Sequence, residues 1–465
     1  MMRLLRHYGS QALLVLVVVE AFSLFWSIYI GRSLYFMWIQ GEDGSGTDEL
    51  ALSATAFMII MSTIMVALGL YERNFWNGKG EMLLRVGVGF LVGLFAMTLF
   101  YYLVPSLALG RGEFGSAMGI AFLSILLLRF IFFKVSKHDR FKYRVLVLGV
   151  GEQAARIEAL RQPGTPGFLV AGYIQVHEHE TPRVPAARIL QAIGNLSDLA
   201  DGLRIDEIVV AMDDRRKGFP FDEILDCKIN GIAISHFLDF FERQTGKVQL
   251  EALMPSSIVF AESFQGMGLR SAVKRVLDIT ASLLLLALTW PFMLAAVLAI
   301  WLESGGREPI LYRQTRVGFK DRLFEVIKFR SMVVDAEKDG KARWAGKNDL
   351  RITRVGAVLR ETRIDELPQL FNVLRGDMSF VGPRPERPQF VADLCRAIPC
   401  YSMRHMVKPG ITGWAQICYC YGASEKDARE KLQYDLYYIK NYSFFFDVVI
   451  LLQTVHTILW GRGAH

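Results

Sequence analysis

Apolar positions divide the chain into three regions. Residues 51–70 and 86–110 carry no charge, and each run is long enough to cross ~30 Å of hydrocarbon as a helix. Residues 13–30 carry only Glu20 and residues 114–133 only Arg129, so residues 1–135 predict a bundle of four transmembrane helices. Further spans follow the first and no clear small-residue cleavage site does, so a retained anchor is expected rather than a signal peptide. Arg3 and Arg6 precede the bundle, Glu42, Asp43, Asp48 and Glu49 occupy its first loop, and Lys134, Lys137, Arg140, Lys142 and Arg144 follow it. Short basic flanks stay in the cytoplasm, so both ends of the bundle are expected there. Glu20 is expected to face the bundle interior, because a lipid-facing carboxylate is costly.

In residues 140–262 the pattern becomes one of short β-branched runs between helical stretches, with strands expected near 143–148, 168–174, 205–212 and 231–237. This predicts an α/β, Rossmann-like middle domain. Gly149-x-Gly151-x-x-Ala154 after the first strand fits a turn that cradles a pyrophosphate at a helix N-terminus. The carboxylate expected about 20 residues on for the ribose is missing, because the second strand ends at Tyr173-Ile174-Gln175. No lysine in the chain has a tyrosine four residues before it, which counts against short-chain-dehydrogenase chemistry. A structural or regulatory role is favoured over bound NAD.

Residues 276–302 are apolar apart from Asp278 and long enough to span, yet Pro291 interrupts them next to Trp290. Lys274 and Arg275 precede the segment and Arg307, Arg313 and Arg316 follow it, which keeps both ends on the cytoplasmic side. Pro291 removes a backbone donor and supplies a bend, so a re-entrant membrane helix is expected, with a kinked fifth span as the alternative. Near the end, residues 424–441 read as a helix rich in charge and tyrosine. Residues 444–460 are an apolar run carrying Asp447 and His456, either lying at the membrane interface or packed on the globular domain.

Composition agrees with this division. The chain has 465 residues, 52% apolar and 21% charged, which excludes a disordered chain. Five cysteines, none before Cys227, are too few for a disulfide scaffold, and the spacing of Cys395, Cys400, Cys418, Cys420 and His405 matches no familiar zinc knuckle. The net charge of +7 calls for anionic partners, and its distribution says which. Fourteen arginines lie between Arg313 and Arg404, interleaved with acidic residues and Gly-Pro turns rather than gathered on one helix. In a domain tied to lipid this favours phosphorylated substrates at a bilayer over nucleic acid, because the planar arginine fork binds two phosphate oxygens at once.

Within residues 270–465 the sharpest local feature runs from Arg360 through Arg363, Asp365, Glu366 and Pro368 to Gly376. It reads as a helix capped by Asp365, with Pro368 in its first turn and Gly376 as its stop. A helix N-terminus and flanking arginines should keep Asp365 ionised, as a nucleophile requires. Such a carboxylate can attack phosphorus, and a hard divalent cation such as Mg²⁺, held by Asp365 and Glu366, would offset the repulsion from a diphosphate. Simple capping is the plainer explanation of the Asp-Glu pair. Two neighbours weigh against it: Lys328-Phe-Arg330-Ser-Met upstream, and the rigid Pro383-Arg384-Pro385 turn downstream.

Residues 274–460 resemble the monotopic polyprenyl-phosphate hexose-1-phosphate transferases, the phosphoglycosyl transferases that begin bacterial exopolysaccharide and O-antigen assembly. The shared pieces, in order, are Lys274-Arg275-x-x-Asp278 with the proline-broken segment, Lys328-Phe-Arg-Ser-Met332, Asp349-x-Arg351-Ile-Thr-Arg-x-Gly356, Asp365-Glu366-Leu-Pro-Gln-Leu, Gly376-Asp-Met-Ser-Phe-Val-Gly-Pro-Arg384-Pro385 and Lys408-Pro-Gly-Ile-Thr-Gly-Trp-Ala-Gln416. Trp290 stands where a serine is common before the proline, and Cys418 and Cys420 follow the last motif. The architecture looks like the large members of that family: a membrane protein with an α-helical N-terminal bundle, an α/β Rossmann-like middle domain and a mainly α-helical catalytic domain with a re-entrant helix. The resemblance implies that Asp365 attacks the β-phosphorus of a UDP-sugar, releases UMP and passes the phosphosugar to undecaprenyl phosphate, with Glu366 as metal ligand or base. It further implies phosphate or nucleotide contacts at Lys328, Arg330, Arg360, Pro383, Arg384 and Pro385. The expected place is the bacterial cytoplasmic membrane with the soluble domains inside, and a homodimer is an assembly that this reading allows. A non-catalytic nucleotide sensor or scaffold, and a membrane nucleotide-sugar dehydratase, are the competing readings.

Overall fold

The computed structural model describes residues 11–37, 48–68, 70–71, 79–136, 143–160, 168–177, 180–190, 195–214, 218–250, 267–334, 351–419, 422 and 424–459. The outermost basic flanks (Arg3, Arg6, Lys137, Arg140, Lys142), Glu42, Asp43, Asp349 and Cys420 therefore lie outside the described residues. The chain divides into two compact units, Met1–Thr245 and Gly246–His465.

The first unit opens with helices α1 (Gln11–Tyr35), α2 (Asp48–Ala67), α3 (Lys79–Leu103) and α4 (Arg111–Ser136). All four are long and apolar enough to cross a membrane, and the chain is that of a membrane protein. The third span was expected to run to residue 110 but ends at Leu103. Pro105 cannot continue a helix and disfavours helical geometry in the residue before it, so Pro105–Leu107 form a separate 3₁₀ turn. The two charges that the sequence leaves isolated inside the bundle prove to be partners. Glu20 is fully buried, and Arg129 reaches its two carboxylate oxygens through Nε and Nη2, each at 2.8 Å. The Tyr71 hydroxyl donates to the same carboxylate, and Arg129 also donates to the Leu70 carbonyl. The Nη2 contact is a hydrogen bond and the Nε contact an ion pair, and together they offset part of the cost of holding both charges away from water.

The rest of this unit is a parallel sheet of β1 (Tyr143–Leu148), β2 (Phe168–Ile174), β3 (Ile189–Leu190), β4 (Glu207–Val210) and β5 (Ala233–His236) in the order β3-β2-β1-β4-β5. Helices α5 (Glu152–Ala159), α6 (Leu196–Gly202), α7 (Phe221–Ile229) and α8 (Phe237–Thr245) complete it. Successive strand residues alternate between its faces. Val145, Val147 and Val209 pack with Phe237 and Phe240, whereas Leu146, Leu148, Ile208 and Val210 pack with Ile224 and Cys227. β4 and β5 start later than the runs expected at 205–212 and 231–237, because Arg204 and Gly231 adopt positive φ at their entries, and β5 ends where α8 begins at Phe237. Gly149 has φ +121°, and a Cβ there would lie 2.4 Å from the Ala211 carbonyl, so the turn requires glycine. At the α5 N-terminus the Asp213 carboxylate accepts from the amides of Glu152 (2.8 Å) and Gln153 (3.1 Å), and Glu180 accepts from Gly151 (3.1 Å). Where a pyrophosphate would sit in a dinucleotide-binding fold, the protein's own carboxylates are already seated.

The second unit contains α9 (Met267–Glu303), the antiparallel pair β6 (Leu311–Val317) and β7 (Leu323–Phe329), α10 (Arg354–Glu361), α11 (Gln369–Arg375), β8 (Ser379–Val381), α12 (Pro388–Ala397), β9 (Gly410–Thr412), α13 (Trp414–Cys418), α14 (Glu425–Lys440) and α15 (Phe444–Leu459). β8 and β9 pair in parallel. Gly246 and Val248 already belong here, through bonds from Trp414 Nε1 to the Gly246 carbonyl and from the Val248 amide to the Gln433 carbonyl.

Both ends of α9 seat on this unit. At the N-terminal end Lys274 pairs with Asp447 and donates to the Val381 carbonyl, Arg275 donates to the carbonyls of Val373 and Leu374, and Asp278 accepts from Ser379 Oγ and the Phe380 amide, each at 3.0 Å. At the other end Ala296 and Ile300 pack with Phe329 and Leu359, and Glu303 accepts from the Val355 amide. Between these anchors Leu283, Leu284, Leu288, Trp290, Phe292 and Leu294 are exposed, with Pro291 among them. α14 starts at a capping box between Ser424 and Asp427, and α15 buries Phe446, Asp447 and Ile450 against the unit while Phe444 and Val455 stay exposed.

Candidate active site

Asp365 does not cap a helix. It lies in a one-turn 3₁₀ element, Ile364–Glu366, which Arg363 enters with a left-handed φ of 60°. α11 begins only at Gln369, with Pro368 at its cap position and no side-chain cap, and ends as expected at Gly376 with φ 97°. The turn is held between two elements. On one side α10 precedes it, capped by Thr353, whose hydroxyl accepts from the Gly356 amide at 2.9 Å. A Cβ at Gly356 would lie 2.0 Å from the Ser331 carbonyl, so this glycine lets α10 close on the chain leaving β7. On the other side Asn372 of α11, fully buried, accepts from the Ile327 amide and donates to the Glu325 carbonyl. These bonds fix β7 against α11 and bring Lys328 to the Asp-Glu turn.

Lys328 Nζ and Arg384 Nη2 both donate to Glu366 Oε1 at 2.7 Å, and Arg363 Nη1 lies 3.8 Å from Oε2. Burial alone would raise the Glu366 carboxyl, but Arg384 and then Lys328 outweigh it and hold the group well below its usual range. Burial lowers the Lys328 ammonium, against the opposing pull of Glu366. Asp365 is 8% exposed, and its carboxyl is pushed up to about 6, first by burial and then by the charge of Glu366, against Lys328, Arg360 and Arg384. The shift is opposite in direction to the one that a helix end and nearby arginines would give, although a carboxyl at about 6 is still mostly ionised at neutral pH. The helix starts a turn later than expected, and the adjacent anion acts through a dry environment. The two carboxylates are thus pushed apart, one firmly ionised and one poised near neutrality, as groups with different chemical tasks often are.

The other residues singled out in the sequence fall in two sets. Arg360 is close enough to Asp365 for its charge to lower that carboxyl, and Pro383, Arg384 and Pro385 form the turn leaving β8 towards Glu366. Arg330 is buried and turned towards Glu308, with which it makes an ion pair. Pro291 lies within the exposed stretch of α9. Among the described residues no three His, Cys, Asp or Glu side chains converge as a metal cluster. Sequence reasoning missed the groups behind the Pro-Arg-Pro turn. Arg404 Nη2 donates to the Arg384 carbonyl at 2.9 Å while pairing with Asp435 at 2.9 Å, and Arg316 Nη1 donates to the Pro385 carbonyl at 3.0 Å. Their only sequence signal is charge at positions that the fold buries.

Residues 269–461 match the family described as bacterial sugar transferase. A UDP-N-acetylgalactosamine-undecaprenyl-phosphate N-acetylgalactosaminephosphotransferase of Aeromonas hydrophila is 42% identical over 271 residues, covering 56% of this chain and 61% of that protein. A UDP-glucose:undecaprenyl-phosphate glucose-1-phosphate transferase of Klebsiella pneumoniae is 36% identical over 58% of this chain and 59% of its own length. One of the same description from Caulobacter vibrioides is 45% identical over 195 residues, which are 41% of this chain and 72% of that protein. The chain thus spans less than two thirds of the first two relatives and more than two thirds of the third. The match over residues 269–461, which includes the Asp365 turn, and a relative 45% identical of which the chain covers 72% place the chain in the bacterial sugar transferase family, the polyprenyl-phosphate hexose-1-phosphate transferases.

Proposed function

We propose that this protein transfers a hexose-1-phosphate from a UDP-sugar to undecaprenyl phosphate at the cytoplasmic face of a bacterial inner membrane, as a first membrane step of exopolysaccharide or O-antigen synthesis. The observation that carries this reading is the buried Asp365 beside a Glu366 that Lys328 and Arg384 hold ionised. An Asp365 oxygen attacks the β-phosphorus, the bond to the oxygen bridging the two phosphates breaks, and UMP leaves with that electron pair. An oxygen of undecaprenyl phosphate then attacks the same phosphorus and frees the carboxylate. Arg384, Lys328 and Arg360 bring positive charge to where the phosphates must lie, which stabilises charge that develops on them. Among the described residues no third His, Cys, Asp or Glu joins Asp365 and Glu366, and such a pair suits Mg²⁺, which takes one or two protein carboxylates and completes its shell with water and substrate phosphate. Asp365 and Glu366 would hold it, and when bound it would offset the repulsion between the nucleophile and the diphosphate.

The placement of α9 supports re-entry into the bilayer. A straight helix would separate Asp278 from Ile300 by about 33 Å, yet both seat on the same unit, on α11 and β8 at one end and on β7 and α10 at the other. A helix that crossed would leave this unit on both sides of the membrane. We take the exposed apolar middle around Pro291 to dip into the bilayer and return.

Incubating the purified full chain in nanodiscs with labelled UDP-sugars and undecaprenyl phosphate tests the reading. Label should pass to lipid in the wild type, and Asp365→Asn should retain under about 1% of the turnover, because an amide cannot form the acyl phosphate. An Asp365→Asn variant that keeps more than a few per cent would rule out Asp365 as nucleophile.

A further inference from the structure

We propose that Arg404, oriented by Asp435, is a positioning residue that holds the Pro383-Arg384-Pro385 turn so that Arg384 points at Glu366. The inference rests on the phosphoglycosyl transfer proposed above and concerns how its arginine is aimed.

A side chain as long as arginine reaches a target reliably only if its own backbone is fixed. Two of the turn's three residues are prolines and lack an amide hydrogen, so its backbone bonds run through carbonyls: Pro383 accepts from the Gly410 amide at 3.0 Å, and Glu386, just after the turn, from the Val317 amide at 2.9 Å. The two carbonyls between these, of Arg384 and Pro385, are met by side chains from behind. Arg404 is 6% exposed and divides its donors three ways: Nη1 to the Tyr401 hydroxyl at 2.6 Å, and Nη2 to both Asp435 Oδ2 and the Arg384 carbonyl at 2.9 Å. Asp435 is itself buried on α14, so the guanidinium has little freedom to turn away. Arg316 secures the next carbonyl, that of Pro385. Before the turn, a Cβ at Gly382 would lie 2.3 Å from the Lys408 carbonyl, which locks this end of β8 against β9. The turn is therefore gripped at both ends, and from it Arg384 reaches the Glu366 carboxylate, 2.7 Å from its Nη2. Arg404 touches no reacting group on this account; it acts through Arg384. Lysine keeps the charge but cannot meet Asp435, Tyr401 and the carbonyl together in the plane of one fork.

The test compares wild type, Arg404→Lys, Arg384→Lys and the double variant, all full-length in nanodiscs. Single-turnover transfer of label from UDP-sugar to protein is measured, so that slow variants remain readable. Hydrogen exchange of peptides covering 382–387 and 364–375 is followed in the same samples. Arg404→Lys should slow transfer at least tenfold in the wild-type background and less than threefold in the Arg384→Lys background, with faster exchange confined to 382–387. Asp435→Asn should behave like Arg404→Lys. Equal losses in the two backgrounds, transfer within threefold of wild type, or exchange that rises equally at 364–375 would each overturn the proposal and leave Arg404 a general structural residue. If the wild type itself takes up no label, the transfer reading fails. The exchange comparison then still decides whether Arg404 fixes the turn.

Discussion

At the scale of single residues, the site depends on two neighbouring carboxyl groups with opposite tendencies. Because the Asp365 carboxyl is pushed up to about 6, its nucleophilic form is gained as pH rises through that value. The rate of covalent labelling should therefore rise with pH on the acid side, with its midpoint at or below 6 because a cation beside the carboxylate lowers it, as a rapid-quench series would record. Stability carries the opposite sign. A carboxyl raised on folding is unfavourable in its ionised form, so its cost is absent below the unfolded value near 4 and complete above about 6. Asp365→Asn should therefore melt above the wild type at pH 7.5, with the gap closing by pH 4. A lower melting point at pH 7.5 would show that the carboxylate is held favourably after all. Glu366 is ionised throughout this range and bonded to both cations. Glu366→Gln keeps the shape but releases Lys328 and Arg384, and should lower turnover about 10²-fold, within the range typical of positioned acid–base or charge partners. Turnover close to wild type would reduce Glu366 to an architectural role.

At the scale of elements, α9 ties the membrane segment to the site. Its first turns grip β8 through Lys274 and Asp278, and β8 runs directly into the Pro-Arg-Pro turn. Its last turns pack on Phe329, the residue after Lys328. Cysteines introduced at Ser271 and Gly305, just outside the apolar stretch, should be equally accessible to an impermeant thiol reagent from the cytoplasmic side. Opposite accessibility would mean a true span and would undo the topology proposed here.

At the scale of the whole molecule, the chain joins an apolar bundle and a Rossmann-like sheet to the family domain. The crevice of that sheet holds Glu180 and Asp213 against the amides that a pyrophosphate would need. A dinucleotide would have to displace two carboxylates and add its own negative charge beside them. NAD should accordingly leave the melting curve unmoved, whereas a ligand at 100 times its Kd would stabilise by about 2.7 kcal/mol. A shift with NAD that persists in Asp365→Asn but disappears in Gly151→Ala would reveal a dinucleotide site there.

Apolar runs and period were enough, from sequence alone, for the four long apolar helices, the parallel α/β sheet and the long apolar helix that contains Pro291, because burial in lipid or in a two-sided sheet imposes those patterns locally. Asp365, Glu366 and Arg384 were legible as a constellation because rigid turns bracket them at short range. Three features were decided only in three dimensions. Glu20 and Arg129 lie in different helices and became partners only when the bundle closed. Asp365 acquired its raised carboxyl from burial and from Glu366, terms that depend on which groups exclude water and that outweighed the arginines visible beside it. Arg404 stands twenty residues beyond Arg384, and only folding brought it the Arg384 carbonyl to hold and Asp435 of α14 to orient it. Local pattern reports where a chain must be dry, whereas the direction and charge state of a buried polar group depend on partners from distant segments, which only packing brings together.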